Sequence, residues 1–135
     1  AVMADTNLTP STTDLQAKNI SSVAFTGTVS NTSFHLDARF MDGLFCIRLD
    51  HPDSGAASAL NVVMTDGSAI TGNPVTVWSL GDAYNNFVQF AYFGSTYTYI
   101  VVDTLNFPGI GITATFPSTG NVSGVVRMPI KLNNG

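Results

Sequence analysis

The sequence predicts an all-β protein, an antiparallel β-sandwich of the jelly-roll or Greek-key type with eight or nine strands. Apolar and polar residues alternate in short segments, which is the pattern of half-buried strands. Turn signals containing Gly, Pro, Asn or Asp separate these segments at regular spacing. No segment has the 3.6-residue apolar period of an amphipathic helix of ordinary length. Together these observations favour two packed antiparallel sheets.

The first strand is predicted where Val23, Phe25 and Val29 alternate with smaller or polar residues. The segment from Ser33 to Asp50 then predicts a hairpin, because Asp42-Gly43 is a preferred centre for a two-residue type I′ turn. Pairing outward from that turn places His35 opposite Asp50, Asp37 opposite Arg48 and Phe40 opposite Phe45. One face of the hairpin would be apolar, and the other would carry charge-complementary cross-strand pairs.

The second half of the chain continues in the same pattern. A second hairpin is predicted over residues 87–102, since Gly94-Ser95 suits a type II′ turn and would place Tyr92 opposite Tyr97. Both faces of this hairpin are mostly apolar. We therefore expect it to lie centrally in the domain or to bury one face against another subunit. Four further strands are predicted, over residues 60–64, 75–80, 110–116 and 122–132.

Length and local composition predict one domain with an arm. At 135 residues the chain is large enough to bury a core without disulfides or a metal. Residues 1–19 are polar and lack periodicity, and they are predicted to be an extended N-terminal arm. Residues 20–135 are predicted to form the single β-sandwich domain.

Charge excludes several classes of partner. The chain has five Lys and Arg residues, nine acidic residues and a net charge of −4. Nucleic acids and anionic membranes require clustered cations, so neither is an expected partner. No apolar run approaches the roughly 18 residues of a membrane span, so we expect no membrane insertion. Only 10% of the residues are charged, and such a surface is more typical of extracellular or virion proteins than of cytosolic enzymes.

No catalytic or cofactor motif is present, and the sequence predicts a non-enzymatic protein without a cofactor. The run Asp50-His51-Pro52-Asp53 supplies metal-ligand residue types, but neither an HExxH motif nor an EF-hand loop occurs. We therefore predict no metal site. The single Cys46 excludes an internal disulfide and is predicted to be structural.

Five residues are candidates for ligand binding. His35, Asp37, Arg39 and Arg48 would share the polar face of the first hairpin, where their donors and acceptors could bind a sugar. The alternative is a solvated face neutralised by its own ion pairs. Tyr84 lies in a polar loop and is the aromatic residue most expected to be exposed. Trp78 lies in an alternating strand and is expected in the core.

The overall plan resembles the receptor-binding heads of virus or phage fibres. An arm containing residues 12–20 leads into short strands rich in Thr and Asn, and the chain stops soon after its last strand. This resemblance implies a virion surface or attachment domain that self-associates, with a trimer favoured, and binds a cell-surface glycan or protein receptor. It transfers no individual site residue.

A second resemblance is to the galectins. His35, Asp37 and Arg39 occupy alternate positions of one predicted strand, similar to the His, Asn and Arg of the galectin sugar-binding pattern, although Asp37 replaces the Asn. The Trp-Gly-x-Glu stretch of that pattern is absent. The alternative function that this resemblance implies is a secreted, lectin-like carbohydrate-binding module.

Overall fold

The computed structural model describes residues 5–7, 22–28, 31–37, 44–67 and 74–127. Every regular element within these ranges is a β-strand, which confirms the predicted all-β class. The strands are β1 (Asp5–Asn7), β2 (Ser22–Thr28), β3 (Asn31–Asp37), β4 (Leu44–Asp50), β5 (Ala59–Thr65), β6 (Val75–Ser79), β7 (Val88–Phe93), β8 (Tyr97–Asp103), β9 (Gly109–Thr115) and β10 (Asn121–Arg127). Nine of them, β2 to β10, correspond to the nine predicted strands.

The strands form two five-stranded sheets that together make a β-sandwich. Sheet A has the order β1-β3-β9-β5-β6, and sheet B has the order β2-β10-β4-β8-β7. All pairings are antiparallel except that of β1 with β3. The order β2-β10-β4-β8 in one sheet and β3-β9-β5-β6 in the other is a jelly-roll arrangement, with β1 and β7 added at opposite ends of the two sheets.

The core lies between the sheets and is built from alternate residues of their strands. Phe45, Ile47 and Leu49 of β4 are fully buried, while Leu44 and Arg48 on the same strand are exposed. This is the period-2 pattern expected for a sheet with one face on a core. Sheet A contributes the buried residues Phe34, Leu60, Val62, Met64, Trp78, Ile110, Ile112 and Ala114.

The first predicted hairpin is wrong. β3 pairs with β9 and β1 in sheet A, whereas β4 pairs with β10 and β8 in sheet B. His35 therefore lies opposite Gly111, and Arg48 lies opposite Tyr99 and Val125. The physical reason is that each strand can direct its apolar face at the core from either sheet, so alternation does not choose the partner. The predicted turn at Asp42-Gly43 is outside the described residues.

The second predicted hairpin is present, but its register differs. Tyr92 lies opposite Tyr99 instead of Tyr97, and the pairing shifts between Val88 and Phe90. The Gly94 amide donates to the Tyr97 carbonyl at 2.9 Å, so Ser95 and Thr96 form the turn. The hairpin lies at the edge of sheet B, with one face on the core, so a central position with both faces covered is wrong.

Part of the predicted arm belongs to a sheet. Asp5, Thr6 and Asn7 form β1 and pair in parallel with Ser33, Phe34 and His35 of β3. Residues 8–21 are outside the described ranges, so the predicted boundary between arm and domain stays a prediction.

Candidate functional site

A row of aromatic side chains covers the outer face of the β7–β8 hairpin. The register shift at Gln89 directs Val88 and Ala91 into the core and leaves Phe90 and Tyr92 exposed, at 47% and 46% of their surface. Tyr97 and Tyr99 of β8 are half-buried on the same face. A β-bulge re-aims side chains in this way because one strand gains a residue relative to its partner.

The rings of this aromatic row form two contacting groups, Tyr84 with Phe90 and Tyr99, and Tyr92 with Tyr97. We define the row as Tyr84, Phe90, Tyr92, Tyr97 and Tyr99. The ring centroids are 6.5 Å apart for Tyr84 and Phe90, and 6.3 Å apart for Phe90 and Tyr99. Those of Tyr92 and Tyr97 are 5.0 Å apart. These are the separations of favourable tilted pairs, so the row presents a rigid apolar surface to solvent.

Arg48 joins the aromatic row to a charged pair. Its guanidinium carbon lies 4.1 Å from the centroid of the Tyr97 ring. Its Nε donates to Asp50 Oδ1 at 2.9 Å, and both side chains are partly exposed. The ring and the carboxylate hold the guanidinium in place, so its planar donors are oriented before any ligand arrives. The pair carries no net charge.

Tyr84 is 54% exposed, as predicted, but its hydroxyl is fixed. The hydroxyl donates to the Ala91 carbonyl at 2.9 Å and accepts from the Ala91 amide at 3.2 Å. Ala91 lies in β7, the edge strand of sheet B. Unpaired groups on an edge strand invite pairing with another chain, and Tyr84 satisfies both groups of Ala91.

Asn85 anchors the loop that carries Tyr84. Its Nδ2 donates to the Val77 carbonyl in β6 at 3.0 Å. Its Oδ1 accepts from the amides of Phe87 and Val88, at 2.8 and 2.9 Å. Since β6 is the edge of sheet A and β7 the edge of sheet B, this side chain links the two edge strands, beside the stacked rings of Trp78 in β6 and Phe93 in β7.

A cleft lies beside the Arg48–Asp50 pair. It has a volume of about 580 Å³ and is lined by the end of β2, the start of β10 and the segment after β4. Asp50, Asp53 and Asn121 supply carboxylate and amide groups to its wall. Ser118 Oγ donates to the Asp53 carbonyl at 3.2 Å and so holds the segment after β4 in place.

His51 is a buried structural residue next to this cleft. Its side chain is fully buried, its Nε2 lies 2.9 Å from Thr98 Oγ1, and its ring centroid is 4.5 Å from that of Phe116. Nδ1 has no hydrogen-bond partner among the described residues. Desolvation lowers the pKa of His51 below 6.5, and nearby backbone groups and the charge of Asp50 oppose this shift only in part.

We expect acid to destabilise the fold through His51. Below about pH 6.5 the unfolded chain takes up a proton that the buried imidazole does not. The free energy of unfolding therefore falls from pH 6.5 downward and levels off below the folded-state pKa. Urea unfolding at pH 7.5, 6.5, 5.5 and 5.0 measures this loss. In a His51→Gln variant the loss between pH 6.5 and 5.0 should be smaller, and an unchanged pH dependence would contradict the role of His51.

The structure separates the predicted site residues. His35 is buried, 7% exposed, in β3 of sheet A, and Asp37 is the last residue of that strand. Arg48 lies in sheet B and Tyr84 in the loop before β7. Arg39 is outside the described residues. The polar face that His35, Asp37 and Arg48 were predicted to share therefore does not form, whereas Arg48 contacts Tyr97 and Tyr84 contacts Phe90, both in the aromatic row.

The aromatic row itself was only partly foreseen from the sequence. Of its five residues only Tyr84 is a predicted site residue, and the expectation that both hairpin faces are covered is inconsistent with the exposure of Phe90. The bulge at Gln89, which decides that exposure, has no signature in the local sequence.

The described residues contain no group of three or more His, Cys, Asp or Glu side chains placed to hold a metal ion. They also contain no helix long and apolar enough to cross a membrane.

Comparison with known proteins identifies the fold but not a family. No protein-family model matches the chain, and no curated protein sequence matches it. Among solved structures, CorA of Methylomicrobium album BG8, a surface-associated copper-binding protein, is similar with a TM-score of 0.55 and 10% identity. The match covers 94% of this chain and 98% of that protein. At this identity the similarity concerns the fold.

Two weaker structural similarities are to a phage-derived protein and an appendage. The SPBc2 prophage-derived protein YomS has a TM-score of 0.43 and 11% identity over 78% of this chain and 93% of that protein. A subunit structure of Bacillus endospore appendages has a TM-score of 0.37 and 17% identity over 81% of this chain and 85% of that chain. By their names, these neighbours and CorA are surface-associated, prophage-derived or part of an appendage.

Proposed function

We propose that this chain is a non-enzymatic surface domain, of the attachment type found on virions and phages, that binds a neutral glycan through the aromatic row and the Arg48–Asp50 pair. The observation that carries the proposal is the exposed ring of Phe90 in contact with Tyr99, beside a guanidinium stacked on Tyr97. A surface-associated protein with a similar fold supports the proposed location.

The chemistry of this face suits a sugar. Flat aromatic side chains bury area at small entropic cost, and they stack on the apolar face of a pyranose ring. Arg48 supplies planar donors and Asp50 supplies acceptors, which together match neighbouring sugar hydroxyls. Such sites combine a mostly apolar surface with a few fixed polar groups.

Charge favours a neutral sugar over an acidic one. Asp50 already neutralises Arg48, with 2.9 Å between Nε and Oδ1. The chain as a whole has a net charge of −4. The negative charge of the chain would repel a sulfated or carboxylated glycan. The glycan would also find no unpaired cation to bind at the row, because Arg48 is already paired with Asp50.

Self-association is the second candidate for this face. Leu44 is 41% exposed on the outer face of β4, and Phe90 and Tyr92 add apolar surface of the kind that a second copy could cover. A trimer would fit a fibre-head-like attachment domain, whereas a monomer that binds sugar would fit the alternative, a secreted, lectin-like module. The solution mass of the protein, measured by light scattering over a dilution series, distinguishes these two forms.

Binding of neutral glycans tests the proposed function. We expect Phe90→Ala and Arg48→Ala each to weaken binding at least about tenfold, because residues at the centre of a contact dominate its free energy. The protein is screened on a glycan array, and the affinity of each variant is measured by calorimetry with the best neutral ligand. Phe107→Ala is the matched control, since Phe107 is 38% exposed but contacts Phe87 outside the row.

Three results would contradict the proposal. The wild-type protein could bind no neutral glycan at millimolar concentration. It could bind one with the same affinity after Phe90→Ala and Arg48→Ala as after Phe107→Ala. Finally, Phe90→Ala could convert a stable oligomer to monomers, which would assign the row to contacts between copies.

A further inference from the structure

The cleft beside Asp50 continues the surface of the aromatic row. Asp50 is the last residue of β4, and its neighbours across the sheet are Tyr97 in β8 on one side and Ser123 in β10 on the other. Asp50 and Ser123 both line the cleft. The residue that orients Arg48 therefore also lines the cleft, so a ligand that contacts Tyr97 and Arg48 lies next to the cleft.

The lining of the cleft combines an apolar surface with several residues whose side chains can bind hydroxyl groups. Asp53 supplies a carboxylate, Asn121 an amide with both donors and acceptors, and Thr28 and Ser123 supply hydroxyls. Asn121 and Asp53 are exposed at the cleft rim. Pro52 and Val122 add apolar groups. This mixture of hydroxyl-binding groups and apolar surface suits a pyranose ring, and no cation that would hold an acidic group lines the cleft among the described residues.

The size of the cleft and its distance from the row match a short glycan. The cleft volume of about 580 Å³ lies within the range of small-molecule sites. Tyr97 and Ser123 are separated by two interstrand spacings, which is about 10 Å. That span is close to the end-to-end length of a disaccharide. A disaccharide with one end against Tyr97 and Arg48 thus has its other end at the cleft.

We infer that the cleft formed by Asp50, Asp53, Pro52 and Asn121 is a second hexose subsite, which binds the sugar residue adjacent to the one held on the aromatic row. The inference rests on the proposed function, because it takes the row as the first subsite. It makes the ligand a neutral oligosaccharide of at least two hexose units, recognised at two points about 10 Å apart.

The experiment compares ligand length with cleft variants. The probes are the methyl glycosides of glucose, galactose and mannose, together with neutral disaccharides and trisaccharides built from the same sugars. Affinities are measured by calorimetry or NMR titration for the wild-type protein, Asp53→Ala and Asn121→Ala. Asn86→Ala is the control, since Asn86 is also exposed but lies in the loop before β7. The unfolding midpoint of each variant shows that the fold is retained.

We expect the best disaccharide to bind about tenfold more tightly than its methyl monosaccharide. Asp53→Ala and Asn121→Ala should each remove most of that gain and leave monosaccharide binding unchanged, while Asn86→Ala should change neither. Equal affinity for one, two and three units, with no effect of either cleft variant, would overturn the subsite but leave sugar binding by the row intact. Absence of binding by every probe would overturn both the row and the subsite.

Discussion

Replacing Gly109 with alanine is expected to lower the free energy of unfolding by about 3 kcal/mol, the upper part of the range for overpacked sites. Gly109 begins β9 and lies opposite Thr65 of β5 and Asp37 of β3. A Cβ atom there would be 2.7 Å from both the Cα and the backbone nitrogen of Gly67, and closer still to Thr65 Oγ1. Real Cβ atoms do not approach other atoms so closely, so the backbone must move.

The atoms next to Gly109 cannot move aside without a large loss of stability. The Gly67 amide donates to Thr65 Oγ1 at 3.1 Å, and Gly67 has a φ of 98°, which few residues other than glycine adopt. Displacing Gly67 would break this hydrogen bond and shift the turn that follows β5. Because β9 and β5 are paired neighbours inside sheet A, the strain would spread into the core.

Gly27→Ala is the matched control for this prediction. Gly27 lies in β2, and a Cβ atom there would meet only Val122 Cγ1, at an ordinary 3.8 Å. Urea unfolding can be followed by the fluorescence of Trp78, the single tryptophan, which is 2% exposed. Equal midpoints for Gly109→Ala and Gly27→Ala would show that the close approach between β9 and Gly67 is wrong.

Asn85→Ala is expected to destabilise the fold by about 2 kcal/mol, because it removes three side-chain hydrogen bonds that are only partly shielded from water. Those bonds join Val77 of β6 to Phe87 and Val88 at the start of β7. Without them the two edge strands lose their side-chain hydrogen bonds and keep the stacking of Trp78 on Phe93. The loop that holds Tyr84 over the edge of β7 would also loosen.

Two comparisons make this prediction specific. Asn85→Asp keeps an acceptor for the Phe87 and Val88 amides but loses the donor to the Val77 carbonyl, so its loss should be intermediate. Asn86→Ala changes an exposed neighbour and should stay within about 0.5 kcal/mol of wild type. Trp78 Nε1 donates to the Ala83 carbonyl in the same loop at 3.2 Å, so a red shift of its emission in Asn85→Ala would report the loosening. A loss no larger than that of Asn86→Ala would refute the role of Asn85.

The β7–β8 hairpin shows what the local sequence predicts and what it does not. The apolar content of residues 87–102 and the turn near Gly94 were enough to predict two paired strands. They did not predict the bulge at Gln89, which exposes Phe90 by shifting one strand against the other. A bulge depends on the partner strand and on packing beneath it, and neither is encoded in the segment itself.

In the segment from Ser33 to Asp50 the local sequence predicted the strands but not their pairing. Its alternation correctly indicated two strands, each with one apolar face. The apparent complementarity of Asp37 and Arg48 suggested a pairing that the fold does not use. Arg48 instead pairs with Asp50 on its own strand and stacks on Tyr97, which is distant in sequence. Opposite charges and a turn dipeptide are compatible with several partners, so they cannot select one.

The sequence by itself determined the all-β class, the approximate position of nine strands, the burial of Trp78 and the exposure of Tyr84. Each of these depends on residues within one strand or loop, where alternation and turn chemistry act. Only the tertiary structure decided which strands share a sheet, and therefore that Arg48 lies beside Tyr97 while His35 lies in the other sheet. The physical reason is that in this jelly roll all consecutive strands except β5–β6 and β7–β8 lie in opposite sheets, so Arg48 of β4 meets the β7–β8 hairpin through a sheet pairing between strands that are distant in sequence.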